Sequence, residues 1–202
     1  MKFYIGKGDS KGFWTFDTEK SVSECEEYEF EGKYYQYLWL TIYLNDKQKL
    51  KIGKICMCCF DMATIKLDGE DLVDIADSID EDVYEAIDIV VAKEFLPENV
   101  LKRPMLCYLE TLYITPEFRG KGIGTWIVQN LHSLVPFYLK SQVYGFVTYP
   151  RPSDGHEADD VIENIIKTDP MYNHMERLLL KNGYKRIDKT NYFFKSYGEE
   201  SD

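Results

Sequence analysis

A chain of 202 residues, 45% hydrophobic and 15% aromatic, suits one compact domain with a sizeable core and excludes an intrinsically disordered chain. Its 35 acidic residues outnumber 24 basic ones, giving a formal net charge of −11, which argues against nonspecific binding to nucleic acid or to an anionic membrane. The same excess serves solubility and would suit a cationic acceptor such as an amine.

The first 30 residues carry short aromatic runs, Phe3-Tyr4 and Phe13-Trp14, and an acidic patch from Glu24 to Glu29, which read as short strands and loops. Tyr34 to Leu44 is aromatic and β-branched, and Leu50 to Met62 is almost continuously apolar. Asn45-Asp46-Lys47-Gln48 lies between them, so the pattern predicts two strands joined by a tight turn. The second strand holds three of the five cysteines: Cys56 and Cys58 share a face, and Cys59 points to the other. Cys25 and Cys107 lie elsewhere. No second pair follows Cys56-x-x-Cys59 and the three histidines are distant, so reduced core thiols are expected in place of a metal or redox centre.

From Asp71 to Phe95 the period becomes helical. Leu72, Ile75, Ile79, Val83, Ile87 and Val90 form one apolar face, while Asp71, Asp74, Glu81, Glu85 and Asp88 form the solvated one. Ser78-x-x-Glu81 has the spacing of a capping box that would restart the helix. Pro97 and Pro104 bound a loop, and Met105 to Ile114 reads as a strand running into a glycine-rich segment. A helix follows from Gly122 to Leu134, stopped by Pro136, and then a strand from Val143 to Tyr149. After a polar stretch, Pro150 to Glu157, a short helix is expected near Asp159 to Ile166. Asp169-Pro170 opens another helix as N-cap and first residue, and Asn182-Gly183 ends it. Tyr184 to Ile187 and Asn191 to Lys195 read as a closing hairpin. The order predicts an α/β or α+β fold with a mixed sheet.

The chemistry concentrates in Leu112-Tyr113-Ile114-Thr115-Pro116-Glu117-Phe118-Arg119-Gly120-Lys121-Gly122-Ile123-Gly124. Glycines let the chain turn tightly and expose successive backbone N–H groups, and with the positive end of the next helix they suit a phosphate or pyrophosphate. A Walker loop fails because Gly122 follows Lys121. A dinucleotide fingerprint fails in both registers, with Thr125 or Ile127 in place of its third glycine.

The spacing Arg119-x-x-Gly122-x-Gly124 fits the Arg/Gln-x-x-Gly-x-Gly/Ala signature of the GNAT (Gcn5-related) N-acetyltransferases. The wider run Leu109 to Gly124 resembles that family's fourth strand, pyrophosphate loop and third helix. The resemblance covers about Met105 to Phe194, leaving a divergent half before it, 1–100. It implies a single domain: a mixed, mostly antiparallel twisted sheet with helices on both faces, split between the fourth and fifth strands. Pantetheine would pair with the backbone of Leu112, Tyr113 and Ile114, and the N–H groups of Arg119, Gly120, Lys121, Gly122, Ile123, Gly124 and Thr125 would hold the pyrophosphate. The implied reaction is direct attack of an amine on an acetyl thioester in a ternary complex.

By the same resemblance Glu110 is the natural base on the fourth strand. Gap-free counting moves the acid of some relatives to Tyr108, which shares a face with Glu110 unless the bulge common in this family intervenes. Thr148, Tyr149 and His156 lie near the neighbouring strand end. The family's usual acid, a Tyr four residues before a Gly-Phe pair, falls on Leu179, and its preceding Asn and Ala positions fall on Tyr172 and Met175. Tyr184, Tyr172 or Tyr192 would have to replace the acid. The implied partners are acetyl-CoA and an amine, small molecule or protein; the charge and the cysteine spacing predict no nucleic acid, membrane or metal. A monomer or homodimer in the cytoplasm is expected, since no apolar run reaches membrane length. A binding protein that keeps the fold without efficient transfer is the alternative.

Overall fold

The computed structural model describes residues 2–4, 13–18, 32–44, 50–97, 99–150 and 170–197. The acidic patch at Glu24 to Glu29, Cys25, the turn at Asn45 to Gln48, His156, the helix near Asp159 to Ile166 and the cap at Asp169 lie outside the described residues.

Strands β1 (Lys2–Tyr4), β2 (Phe13–Thr18), β3 (Tyr35–Leu44) and β4 (Leu50–Asp61) form a meander, each antiparallel to the next. Helices α1 (Met62–Asp68), α2 (Leu72–Asp77) and α3 (Glu81–Ala92) then lead to β5 (Met105–Ile114). The chain continues through α4 (Ile123–Leu139), β6 (Val143–Thr148), α5 (Pro170–Lys181), β7 (Lys185–Arg186) and β8 (Phe193–Ser196). The sheet order is β1-β2-β3-β4-β5-β6-β8-β7, and every neighbouring pair is antiparallel except β5 with β6. This is the mixed, mostly antiparallel sheet that the sequence predicts, and helices cover both faces.

Strict alternation along the central strands builds two cores. Met57 and Cys59 of β4, with Cys107 and Leu109 of β5, face Ile127, Leu131 and Leu134 of α4. Cys58, Phe60, Leu106 and Tyr108 face Ile65, Ile75, Val83 and Ile87 on α1 to α3. Each such aliphatic side chain, removed from water, stabilises the fold by about 1.5–3 kcal/mol. Cys56, Cys58, Cys59 and Cys107 are buried free thiols. Among the described residues no His, Cys, Asp or Glu group could hold a metal, and no helix is long and apolar enough to cross a membrane.

Three local expectations are corrected. The strand expected to reach Met62 ends at Asp61, whose carboxylate accepts from the N–H groups of Ala63 and Thr64 at 3.1 Å and starts α1. The helix expected over Asp71 to Phe95, with a restart at Ser78-x-x-Glu81, is two helices. Ser78 closes α2 by donating to the Ile75 carbonyl at 2.7 Å, and Asp80 caps α3 by accepting from Val83 N–H at 2.8 Å, so no Ser78–Glu81 capping box forms. Apolar residues on both sides of the break face the same core, which is why the period runs through it. Pro136 does not stop α4. It removes one donor, but its φ suits a helix, and Lys140 N–H still reaches the Pro136 carbonyl at 3.0 Å.

Candidate active site at the strand fork

Strand β5 pairs with β6 from Met105↔Val143 to Leu109↔Thr148 and no further. Thr148 closes the junction by donating its hydroxyl to the Leu109 carbonyl at 2.8 Å. β5 continues to Ile114 with β4 on one side, where Thr111 pairs with Cys56 and Ile114 with Gly53. The opposite edge of Glu110 to Ile114 is therefore free of a strand partner among the described residues, leaving backbone groups available to an extended ligand.

A bulge re-aims the strand at this point. Cys56 opposes Thr111 and Met57 opposes Leu109, so Glu110 is the extra residue. Leu109 and Leu112 thereby both join the α4-side core. The Glu110 carboxylate instead accepts a hydrogen bond from the Cys56 thiol, Sγ to Oε2 3.4 Å. Burial pushes the Cys56 thiol up, and the nearby Glu110 charge adds to it, so Cys56 stays a protonated donor. Burial also raises Glu110 above the usual carboxylate range; Asp80 and Asp82 push the same way, while the Cys56 bond and Lys54 oppose. Tyr108 is buried among the residues under α1 to α3.

Beyond β5 a single 3-10 turn, Pro116–Phe118, leads into the glycine segment. Gly120 and Gly122 take left-handed φ of +72° and +80°, and a Cβ on either would meet nothing within 4 Å. Gly122 begins α4 with no side-chain cap, and the first helical bond runs from Trp126 N–H to the Gly122 carbonyl at 2.9 Å. The N–H groups of Ile123, Gly124 and Thr125 thus have no acceptor within the helix. Arg119 braces the loop by donating Nε–H to the Ile114 carbonyl at 2.9 Å.

A cavity of about 280 Å³ joins these parts. Leu112, Tyr113 and Ile114 supply one wall, and Arg119, Gly120, Gly122, Ile123, Gly124 and Thr125 supply another. Of the ten residues that the resemblance assigns to the coenzyme, Lys121 is absent from this lining; its Nζ lies over the Phe118 ring, 4.7 Å from the centroid. The third wall was not foreseen: Met171, His174, Met175 and Leu178 of α5. Their three- and four-residue steps mark one helix face, a signal visible in the sequence but indistinguishable there from ordinary core packing.

A second recess, about 20 Å³, lies at the fork and shares Leu112, Met175 and Leu178 with the first. Its lining adds Glu110, Thr148, Tyr149 and Leu179. The other tyrosines considered as acid lie elsewhere. Tyr184 is buried in the α4-side core, its hydroxyl finds no partner, and burial holds it well above the usual range. Tyr172 is buried in the opposite core, and Tyr192 donates its hydroxyl to Glu85 at 3.0 Å. None of the three lines either space. The strand edge, free among the described residues, and the uncapped helix start line one cavity, and the helix start suits a phosphate group.

No protein-family model and no curated protein matches the sequence. Among solved structures the chain is similar to AtaTR bound with AcCoA, at 10% identity over 79% of this chain and 67% of that one, TM-score 0.38. It is similar to the KacTA–DNA complex, at 11% identity over 91% and 92%, TM-score 0.45. A third likeness is mosquito arylalkylamine N-acetyltransferase like 5b, at 11% identity over 78% and 74%, TM-score 0.42. The likenesses are distant, and the reading of the site rests on its own geometry.

Proposed function

We propose that the chain is a coenzyme A-dependent N-acyltransferase that passes an acetyl group from acetyl-CoA to an amine. One observation carries the reading: the edge of β5 that is unpaired among the described residues and the glycine turn of α4 line one cavity, and the recess lined by Glu110 shares three lining residues with it.

The N–H groups of Ile123, Gly124 and Thr125 bind the pyrophosphate at the positive end of α4. The backbone of Leu112 to Ile114 pairs with the pantetheine arm. The donor supplies a thioester carbonyl open to nucleophilic attack, and β5 backbone N–H groups that face it favour the developing oxyanion. Glu110 accepts the proton that an incoming ammonium must lose, directly or through a water. Its raised pKa strengthens it as a base, and Cys56 fixes its carboxylate against β4. Leu179 offers no proton to the departing thiolate, which leaves as an anion. The net charge of −11 suits a cationic acceptor.

Calorimetric titration of acetyl-CoA, with Gly122→Glu as control, tests the binding half; thiol release with a panel of amines tests transfer. Binding that the substitution abolishes, together with amine-dependent release, is expected. Failure of the wild-type chain to bind acetyl-CoA would sink the reading. A second reading, an acyl-CoA sensor without efficient transfer, is favoured by Leu179 in the recess and by Tyr184 sealed in the core; it predicts binding without release for every amine.

A further inference from the structure

We propose that the recess at the β5–β6 fork is a size and charge gate for the acyl group, set by Val128 and Leu179, which admits acetyl and rejects butyryl and succinyl. The inference rests on the acyl-CoA reading and deepens it by naming the side chains that limit the acyl group.

The two spaces share Leu112, Met175 and Leu178 in their linings, near where β5 and β6 part, and measure about 280 Å³ and about 20 Å³. A space of roughly 10–15 Å³ holds one water-sized group, so the recess takes a methyl and little more. The walls of the recess come from four elements, β5, β6, α4 and α5. Leu109 on β5 and Leu179 on α5 are each 3% exposed, and Val128 on α4 is 1% exposed. Packed side chains of this kind do not yield a methylene without displacing their neighbours. An acyl chain two carbons longer than acetyl has to push Leu179 or Val128 out of the core, or turn toward Glu110 and occupy the amine's approach.

Charge narrows the choice further. Glu110 is the one charged residue in the lining, and the Thr148 hydroxyl already donates to the Leu109 carbonyl. A succinyl carboxylate would lie among Leu109, Val128 and Leu179, with no cation to pair it among the described lining residues. Leu179 has a double consequence: it removes the expected proton donor and, in the same place, sets the depth of the recess.

The test is calorimetric binding of coenzyme A, acetyl-CoA, butyryl-CoA and succinyl-CoA to the full chain and to Leu179→Ala and Val128→Ala, each checked for folding by circular dichroism. The wild type is expected to bind acetyl-CoA at least as well as coenzyme A, and butyryl- and succinyl-CoA about tenfold or more weaker, the scale on which apolar pockets sort methylenes. Leu179→Ala or Val128→Ala, on separate helices, is expected to bring butyryl-CoA to within about threefold of acetyl-CoA and leave succinyl-CoA weak. A flat series across acyl groups, with coenzyme A binding intact, would overturn the gate alone. Butyryl-CoA staying weak in whichever variants fold would overturn the roles of Leu179 and Val128. No binding of coenzyme A would overturn the acyl-CoA reading and the gate together.

Discussion

Gly122 and Gly69 make a matched pair for testing how the loop works. Both hold left-handed φ, +80° and +75°, and a Cβ on either would meet nothing within 4 Å. Alanine at either site therefore costs backbone strain and no clash, about 1–2 kcal/mol for an L-residue in that region. In a chain of this size 1 kcal/mol moves the melting temperature by about 2–4 °C, so each variant should melt roughly 2–8 °C lower. Gly69 caps α1, whereas Gly122 sets the direction of the free N–H groups at the start of α4. Relaxation at Gly122 swings those donors away from the cavity, and losing one hydrogen bond to a charged group weakens coenzyme A binding by about 10- to 150-fold, from about 1.5–3 kcal/mol. Thermal melts by circular dichroism and calorimetric titration of coenzyme A give both readouts. Gly122→Ala should lose stability and affinity, and Gly69→Ala stability alone. Equal losses of affinity, or full affinity in Gly122→Ala, would refute the claim that this turn aims the donors.

Two further outcomes follow from β5 and its neighbour. Because the fold raises the pKa of Glu110, its contribution to stability is present below the ordinary carboxylate pKa and is lost as pH rises through the raised value; Glu110→Gln should therefore gain stability over wild type at pH 7 and not at pH 3, in parallel urea denaturations, while abolishing amine-dependent thiol release. A Cβ on Gly53 would lie 2.4 Å from the Tyr113 carbonyl oxygen and 3.0 Å from Ile114 Cδ1, so Gly53→Ala should destabilise by about 1–3 kcal/mol through overpacking and loosen coenzyme A binding by shifting the end of β5; an unchanged denaturation midpoint would contradict it.

The strand, glycine turn and helix start that line the larger cavity were legible because they are contiguous from Leu112 to Thr125 and their roles are local. Glu110 was singled out from the resemblance, but its place as the extra residue of a bulge depends on register with Cys56, 54 positions away, which no local pattern encodes. The break at Ser78 to Asp80 was signalled by Ser78-x-x-Glu81, but its cap was misplaced: Asp80 caps α3, and the apolar period that continues across the break gives no register for it. Pro136 was overweighted as a stop, since the sequence does not reveal that the last turn keeps its bond to Lys140. Tyr184 stood near the right motif. Its hydroxyl is nonetheless sealed in the core, and burial of that kind is a property of the assembled fold.

The position of β8 bears on when the site exists during synthesis. Strands β1 to β4 pair with their neighbours in chain order, so that half of the sheet can assemble as it leaves the ribosome. β6 differs: it lies between β5 and the last strand, with Thr148 opposite Phe193 and Gly145 opposite Ser196. Gly145 allows that last strand to close in, since a Cβ there would lie 2.9 Å from the Phe194 ring. One arm of the fork is thus clamped only by residues translated at the far end of the described chain, and a nascent chain stalled before Phe193 carries the whole glycine loop without a finished place for its ligand.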